Sequence, residues 1–440
     1  MSGAARTPSP LSRRAGDGRE SAPVRQVHLG LGGFFRAHQA WYTEHCPDRD
    51  EWGIAAFTGR SRDLADTLTG QDSLYTLVTR SPSEDRFEVV SSLSACYRGS
   101  DQETFRARLA SAQVRLLTLT ITEAGYRREA TGLASVPDRL VAALAARRAA
   151  DAGPITLVPC DNLPGNGGVL ARVIAELAGE IDPALADWIE ESVSFVDTVV
   201  DRITPRLDPA DLALVAAATG RADRAPVVTE PFSEWVLRGS FPAGRPAWDH
   251  AGARFTDSIE PFEQRKLWLL NGGHSLLAYA GSLRGHRTVA DAVADETCLG
   301  WLDEWWQEAA AHLELPDTEI ADYRAALLDR FGNHRIRHQL AQIAADGSQK
   351  LPVRVVPVVL AERALGRSSV GGLRVIAGWL CHLRGAGVPI SDPRAAELTE
   401  LVRGPLGSAA SRLLRWLDPA LGDDAVVVST VTELAAGLST

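Results

Sequence analysis

The chain lacks a disulfide pattern, a membrane-length apolar run and a basic tract beyond its N-terminal arginines. Its five cysteines, Cys46, Cys96, Cys160, Cys298 and Cys381, are far apart and odd in number, with no C-x-x-C pair, which fits reduced thiols in a cytosol. No segment approaches the roughly 18 consecutive apolar residues that a membrane span requires. A formal net charge of -10 argues against a nucleic-acid surface and leaves a small molecule as the default partner. Residues 1 to 22 are rich in Ser, Arg, Gly and Pro without an apolar core segment, so a disordered leader is expected there and not a signal peptide. No Walker loop or G-x-S-x-G elbow appears, which removes support from phosphotransferase and hydrolase chemistry. His334 and His338 stand i, i+4, but no Glu follows the first and no third ligand is evident. Structural or solvated histidines are expected there, and no metal site. These absences describe a soluble, cytoplasmic protein with no nucleic-acid or membrane partner, a monomer or weak homo-oligomer.

What is present is a chain of 440 residues, 45% hydrophobic and 23% charged, long enough for two domains with separate cores. In the first half, short apolar runs alternate with helical patterns. Val24 to Leu29, Gly53 to Phe57, Leu116 to Ile121, Ile155 to Val158 and Phe195 to Val200 read as strands, with helices over Asp101 to Ala112 and Pro137 to Ala150. That alternation predicts an α/β fold with a Rossmann-type parallel sheet. From about residue 256 the strand signals fade, and Leu299 to Leu313, Thr318 to Phe331 and Val370 to Leu383 read as helices. The expected division is a dinucleotide-binding domain over 23–255 and a mainly α-helical substrate-binding domain over 256–440.

The first strand ends in Gly30-Leu31-Gly32-Gly33-Phe34-Phe35-Arg36-Ala37-His38. Glycines at a strand-to-helix turn let the backbone approach a pyrophosphate, and the helix start offers amide donors. The pattern is G-x-G-G and not the full G-x-G-x-x-G, so its weight comes from its position after the first strand of an α/β pattern. Arg36 is placed to add a phosphate contact or to be solvated. The second strand runs into Thr58-Gly59-Arg60-Ser61-Arg62-Asp63 with no carboxylate directly at its end. Asp63 near the ribose would favour NAD, whereas Arg60 or Arg62 against a 2′-phosphate would favour NADP.

The richest stretch is Pro261-Phe262-Glu263-Gln264-Arg265-Lys266-Leu267-Trp268-Leu269-Leu270-Asn271-Gly272-Gly273-His274. Pro261 and Glu263 suit a first helical turn. At about 100° per residue Glu263, Lys266, Asn271 and His274 fall within an arc of roughly 140°, so all four can look into one cavity. Apolar flanks predict that the helix is mostly buried. A lysine among apolar walls loses hydration, which disfavours its charge and suits it to act as a general base. Asn271 can donate to an oxygen gaining negative charge, and His274 can orient a hydroxyl.

The chain resembles the polyol-specific long-chain dehydrogenase/reductase family, whose members include mannitol 2-dehydrogenases and fructuronate reductases. The motifs that carry the resemblance begin with the glycine loop, Gln71-Asp72-Ser73-Leu74-Tyr75-Thr76-Leu77 and Thr120-Ile121-Thr122-Glu123-Ala124-Gly125-Tyr126. They continue with Cys160-Asp161-Asn162-Leu163-Pro164-Gly165-Asn166-Gly167, Val200-Asp201-Arg202-Ile203-Thr204-Pro205, Glu230-Pro231-Phe232, the Lys266 helix and Asp346-Gly347-Ser348-Gln349-Lys350-Leu351-Pro352. The resemblance implies a zinc-independent oxidoreductase that interconverts a sugar alcohol and its ketose by hydride transfer to NAD, with NADP left open. In it Lys266 would be the base, Asn162 and Asn271 the alkoxide pocket, His274 the substrate holder and Glu263 a modulator of proton exchange. Asp201 and Lys350 would line the substrate side; Gly30, Gly32, Gly33, Phe34, Arg36, Asp63 and Glu123 would serve the cofactor. The Lys266 helix is expected to line the cleft between the domains.

Two departures from the family pattern stand out. Phe35 occupies a place where a histidine is common, and Gln342 stands where mannitol-type members carry an arginine. The run from Gln342 to Lys350 looks more like fructuronate reductases (D-mannonate oxidoreductases), which makes that activity the alternative. A non-catalytic dinucleotide-binding sensor is the rival from another class, and the set of Lys266, Asn271, His274 and Asn162 argues against it.

Overall fold

The computed structural model describes residues 8–59, 63–121, 123–126 and 135–438. The chain forms two compact units that divide between Glu260 and Pro261.

The first unit is built on a six-stranded sheet of β1 (Val24–Leu29), β2 (Gly53–Phe57), β3 (Leu93–Tyr97), β4 (Leu116–Leu119), β5 (Ile155–Pro159) and β6 (Val193–Phe195), in the order β3-β2-β1-β4-β5-β6. Every neighbouring pair is parallel. This is the doubly wound Rossmann order, with the reversal between β1 and β4. The central strands are buried along their length, as a sheet covered on both faces demands, which is why they read as continuous apolar runs. Leu29, Phe57, Leu117, Leu119 and Leu157 meet helical residues such as Phe105, Leu144 and Ile174 in one core.

Two three-stranded sheets accompany it, of which the apolar pattern announces only one strand: the expected strand Phe195 to Val200 divides into the end of β6 and most of Asp197–Asp201. One joins Val227–Thr229 to the hairpin of Tyr75–Arg80 and Asp85–Val90; the other joins Arg254–Phe255, Glu234–Arg238 and Asp197–Asp201. Their strands are short or partly exposed. The expected disordered leader is corrected as well: residues 8–22 are folded against the unit. Leu11 and Ala22 are buried, and the Arg13 guanidinium donates to the carbonyls of Asp72 (3.1 Å), Ser91 (3.0 Å) and Leu93 (2.8 Å). Composition missed this because one arginine satisfying three loop carbonyls holds the segment, with little apolar area involved.

The second unit is helical, with long helices over Glu296–Ala310, Asp317–Phe331 and Val370–Leu383. Val370–Leu383 is buried on almost every side, consistent with a composition that is apolar apart from Arg374 and His382. Among the described residues no helix is long and apolar enough to cross a membrane. All five cysteines are buried, and none is in a disulfide.

Candidate functional site

In the first unit, the carboxyl ends of β1 and β4 flank the point where strand order reverses, the place where doubly wound sheets bind ligands. Gly30 follows β1 with φ of +117°, and a Cβ there would lie 2.4 Å from the carbonyl oxygen and Oγ1 of Thr120, just beyond β4. Thr120 Oγ1 donates back to Gly30 O at 2.9 Å. The fold itself therefore requires glycine at 30. Gly32 and Gly33 differ: a Cβ would meet nothing nearer than Gly30 O at 3.5 Å and Thr204 Cγ2 at 3.6 Å. Among the described residues that side is open, and the helix Gly33–Ala37 starts there without a side-chain cap. Open backbone with free amides is what an approaching phosphate needs.

Phe35 stands where the full fingerprint has its third glycine. It is fully buried and stacks on His28 with ring centroids 3.4 Å apart, so an aromatic pair replaces the close helix–strand contact that glycine permits. Burial pushes His28 down to about 3, and its ring nitrogens meet Thr118 Oγ1 at 2.9 Å and Thr120 Oγ1 at 3.2 Å. Phe34 is half-buried and stacks on His38.

Arg36 is a correction. Its guanidinium is buried, donates to Gly32 O at 3.2 Å and to Ala225 O, and lies over the Tyr75 ring, while Tyr75 donates its hydroxyl proton to Arg36 O at 2.6 Å. It braces the glycine loop from behind and is neither solvated nor turned to a phosphate. Two other motifs work the same way. Asp223 accepts from Gln71 Nε2 (2.9 Å) and Thr76 N (2.6 Å), holding the left-handed turn at Asp72 and Ser73. Arg202 reaches Ala37 O at 2.5 Å and Glu230 O at 3.3 Å, while the Glu230 carboxylate accepts from Ile203 N at 2.6 Å. These motifs fix the end of the loop helix.

The remaining expected residues of this unit are placed as follows. Asp63 is exposed at the start of the helix Asp63–Thr69; Arg60 and Arg62 lie outside the described residues. Glu123 opens a short 3-10 turn, Glu123–Tyr126, just past β4. Asn162 is exposed in the turn after β5, and Asp201 is buried at the end of Asp197–Asp201, across from Glu234.

In the second unit the Lys266 stretch is an unbroken helix from Glu260 to Leu283 that changes pitch: α-helical at Glu260–Arg265, π-helical at Lys266–Gly272, α-helical at Gly273–Leu276 and π-helical at Leu277–Gly281. In a straight α-helix Lys266 and Asn271 would stand about 140° apart around the axis. A π turn bonds five residues back, which brings residue i+5 nearly above residue i. Lys266 and Asn271 thus come onto one face, with Glu263 and His274 three residues to either side, about 60° away in each direction. Two indoles sustain the turn: Trp305 Nε1 donates to Trp268 O and Trp306 Nε1 to Leu269 O, each at 2.9 Å. Glycine at 272 and 273 admits them, since a Cβ would lie 2.7 Å from Trp305 and 2.9 Å from Leu302.

His274 is buried and stacked on Phe331, with ring centroids 4.6 Å apart. Burial holds it well below the ordinary histidine range, helped by the neighbouring His338, Arg330 and Arg354, so the ring is neutral. Its Nε2 is buried and has no hydrogen-bond partner among the described residues. Lys266, Glu263 and Asn271 are half-buried. Lys350 donates to the carbonyls of Ala345 (2.6 Å) and Ile343 (3.2 Å), closing the short helix Leu340–Ile343, and burial lowers its pKa. Gln342 is exposed on that helix. Arg354, at the end of Gly347–Arg354, approaches Asn271 O (3.5 Å) and Ser275 Oγ (3.4 Å). Among the described residues His286, Asp295 and Cys298 form a group with metal-ligand atoms, but Arg284 Nε already holds the Asp295 oxygen that meets His286, at 2.6 Å.

Residues 24–250 match the model of the mannitol dehydrogenase Rossmann domain and residues 258–418 that of the mannitol dehydrogenase C-terminal domain. The chain belongs to the mannitol dehydrogenase family. It is 34% identical to a D-mannonate oxidoreductase of Escherichia coli, over 91% of this chain and 89% of that one. It is 33% identical to a mannitol 2-dehydrogenase of Cereibacter sphaeroides, over 86% and 85%. The solved ternary complex of Pseudomonas fluorescens mannitol 2-dehydrogenase with NAD and D-mannitol superposes with a TM-score of 0.81 at 33% identity, covering 95% of this chain and 92% of that one. The protein is thus an oxidoreductase of this family with its Rossmann and helical domains.

The motifs give no sign of the Trp305–Trp306 clamp, and His338, read from the sequence as a structural or solvated histidine, packs against His274. The adjacent tryptophans were visible as a dipeptide, but their indole donors acquire meaning only beside a π turn. One signal within the sequence went unused: of 46 basic residues only Lys266 and Lys350 are lysines. Arginine serves every other Lys/Arg position in the chain, which sets these two apart.

Proposed function

We propose that the chain oxidises a secondary alcohol of an acyclic polyol to the ketone, reversibly, with Lys266 as general base and NAD as coenzyme. The observation that carries this reading is the π turn that sets Lys266, Asn271 and His274 on one helix face, beside a buried imidazole nitrogen with no partner. A bound nicotinamide would accept the hydride from the carbinol carbon. Lys266 Nζ takes the hydroxyl proton as the carbon–oxygen bond becomes a carbonyl; an arginine could not, because its guanidinium stays protonated. Asn271, and Asn162 in the first unit, donate hydrogen bonds to the oxygen while it carries negative charge. His274, neutral, holds a further hydroxyl, and Glu263 passes protons between Lys266 and water. Gly32 and Gly33 receive the pyrophosphate on open backbone, and Arg36 acts indirectly by bracing that loop. Asp63 favours NAD by accepting from the ribose hydroxyls and repelling a 2′-phosphate.

Mannitol and fructose are the proposed pair. A second reading, oxidation of an aldonate such as D-mannonate, is favoured by Gln342 in place of an arginine and by the similarity to the D-mannonate oxidoreductase. Reduction of NAD and NADP with mannitol, arabinitol, sorbitol, mannonate and altronate decides between them. Turnover of mannitol with NAD supports the first reading, preference for mannonate the second, and no turnover of any refutes both.

A further inference from the structure

His274 does not stand alone. His338 meets it edge to face, with ring centroids 4.8 Å apart and an interplanar angle of 82°. His338 Nδ1 is, like His274 Nε2, buried without a hydrogen-bond partner among the described residues. Buried polar groups are nearly always satisfied, so two orphan ring nitrogens on touching imidazoles call for a ligand that satisfies both. Both rings are neutral: burial pushes His338 down to about 4, with Arg330 adding to the effect. A neutral imidazole donates from one nitrogen and accepts at the other, which matches a hydroxyl that does both and suits a carboxylate less well. The His338 backbone is pinned, its N–H donating to Ile336 O at 2.8 Å and its carbonyl accepting from Val289 N at 3.0 Å. The ring is therefore presented from a fixed frame, as stereochemical reading requires.

We propose that His338 is a second substrate-reading imidazole, whose open nitrogen hydrogen-bonds a hydroxyl next to the one held by His274. The pair would select the relative configuration at neighbouring carbons. This rests on the polyol reading of the same site.

The test compares the wild type with His338→Phe, which keeps a ring against His274 but removes its nitrogens, and His338→Asn, whose amide can replace Nδ1. On the best polyol found in the substrate screen, kcat/KM of His338→Phe should fall about 10- to 100-fold, the size of one buried hydrogen bond. The preference over the epimer at the carbon read should shrink by a similar factor. His338→Asn should recover part of both, with NADH affinity and melting temperature unchanged in each. In protein labelled with ¹⁵N-histidine, saturating polyol should shift the ring signals of both His274 and His338. If His338→Phe keeps the wild-type epimer ratio, or the His338 signals stay fixed while polyol is turned over, His338 only packs and the inference fails alone. If the wild type neither binds nor oxidises any polyol, the functional reading fails and takes this one with it.

Discussion

Gly30 and Gly33 lie three residues apart in one loop, yet their replacement by alanine should do opposite things. At Gly30 the new Cβ would lie 2.4 Å from two oxygens of Thr120, at a φ of +117° that side chains avoid. Such a conformation costs of the order of 1–3 kcal/mol. Moving Thr120 aside also threatens its bonds to Gly30 O and Leu29 O, worth about 1 kcal/mol each. A total of about 3 kcal/mol lowers the unfolding midpoint of the first unit by roughly 6–12 °C. At Gly33 the Cβ meets only Thr204 Cγ2, at an ordinary 3.6 Å, in a helix where alanine is the better residue. Stability should hold or rise by about 0.5–1 kcal/mol. A methyl group on the open backbone should nonetheless weaken NADH binding about tenfold, near 1.4 kcal/mol. Calorimetry and NADH fluorescence titration on both variants separate these effects. Wild-type NADH affinity in Gly33→Ala would refute the backbone cradle, and an unchanged midpoint in Gly30→Ala would refute the steric argument.

Three further outcomes follow from the site. Asp63→Ala should erode the preference for NAD, measured as the ratio of kcat/KM for the two coenzymes; an unchanged ratio, or a wild type that prefers NADP, makes the arginines the selectors. Exhaustive chelation should leave polyol oxidation intact, because Lys266 and the two asparagines do the work of a Lewis acid; loss restored by zinc would overturn that assignment. Stability should fall as pH drops. His28 at about 3 and His338 at about 4 stay neutral in the folded chain, while their unfolded counterparts take up protons below about 6.5. Because the unfolded state then binds more protons, each such histidine costs up to about 1.4 kcal/mol per pH unit between pH 6.5 and the folded value. Urea unfolding at pH 7 and pH 5 should show the loss, and His28→Asn should lessen it; equal losses would remove His28 as a cause.

The parallel sheet was legible because strands buried on both faces read as plain apolar runs. The two smaller sheets were not, apart from the strand Asp197–Asp201. Val227–Thr229 is three residues long, and Asp85–Val90 buries only Val90. The Lys266 helix was legible as a helix and as a cluster of chemistry, but not in its pitch. Whether Lys266–Gly272 bonds four or five residues back depends on two indoles arriving from a helix elsewhere in the chain, and local propensity carries no trace of them. Arg36 was misread for a related reason. Its charge suggested solvent or phosphate, whereas backbone carbonyls from Gly32 and Ala225 satisfy it in the interior. The segment 8–22 likewise became ordered through polar anchoring of Arg13, which hydropathy does not register.

The central claim is that Lys266 removes the hydroxyl proton. Its most direct test is polyol oxidation by Lys266→Ala, alone and with a series of added primary amines of increasing basicity. The account predicts a loss of about two to four powers of ten in turnover with NADH affinity kept, and partial recovery that rises with amine basicity. Near-wild-type turnover in Lys266→Ala without any amine would contradict it.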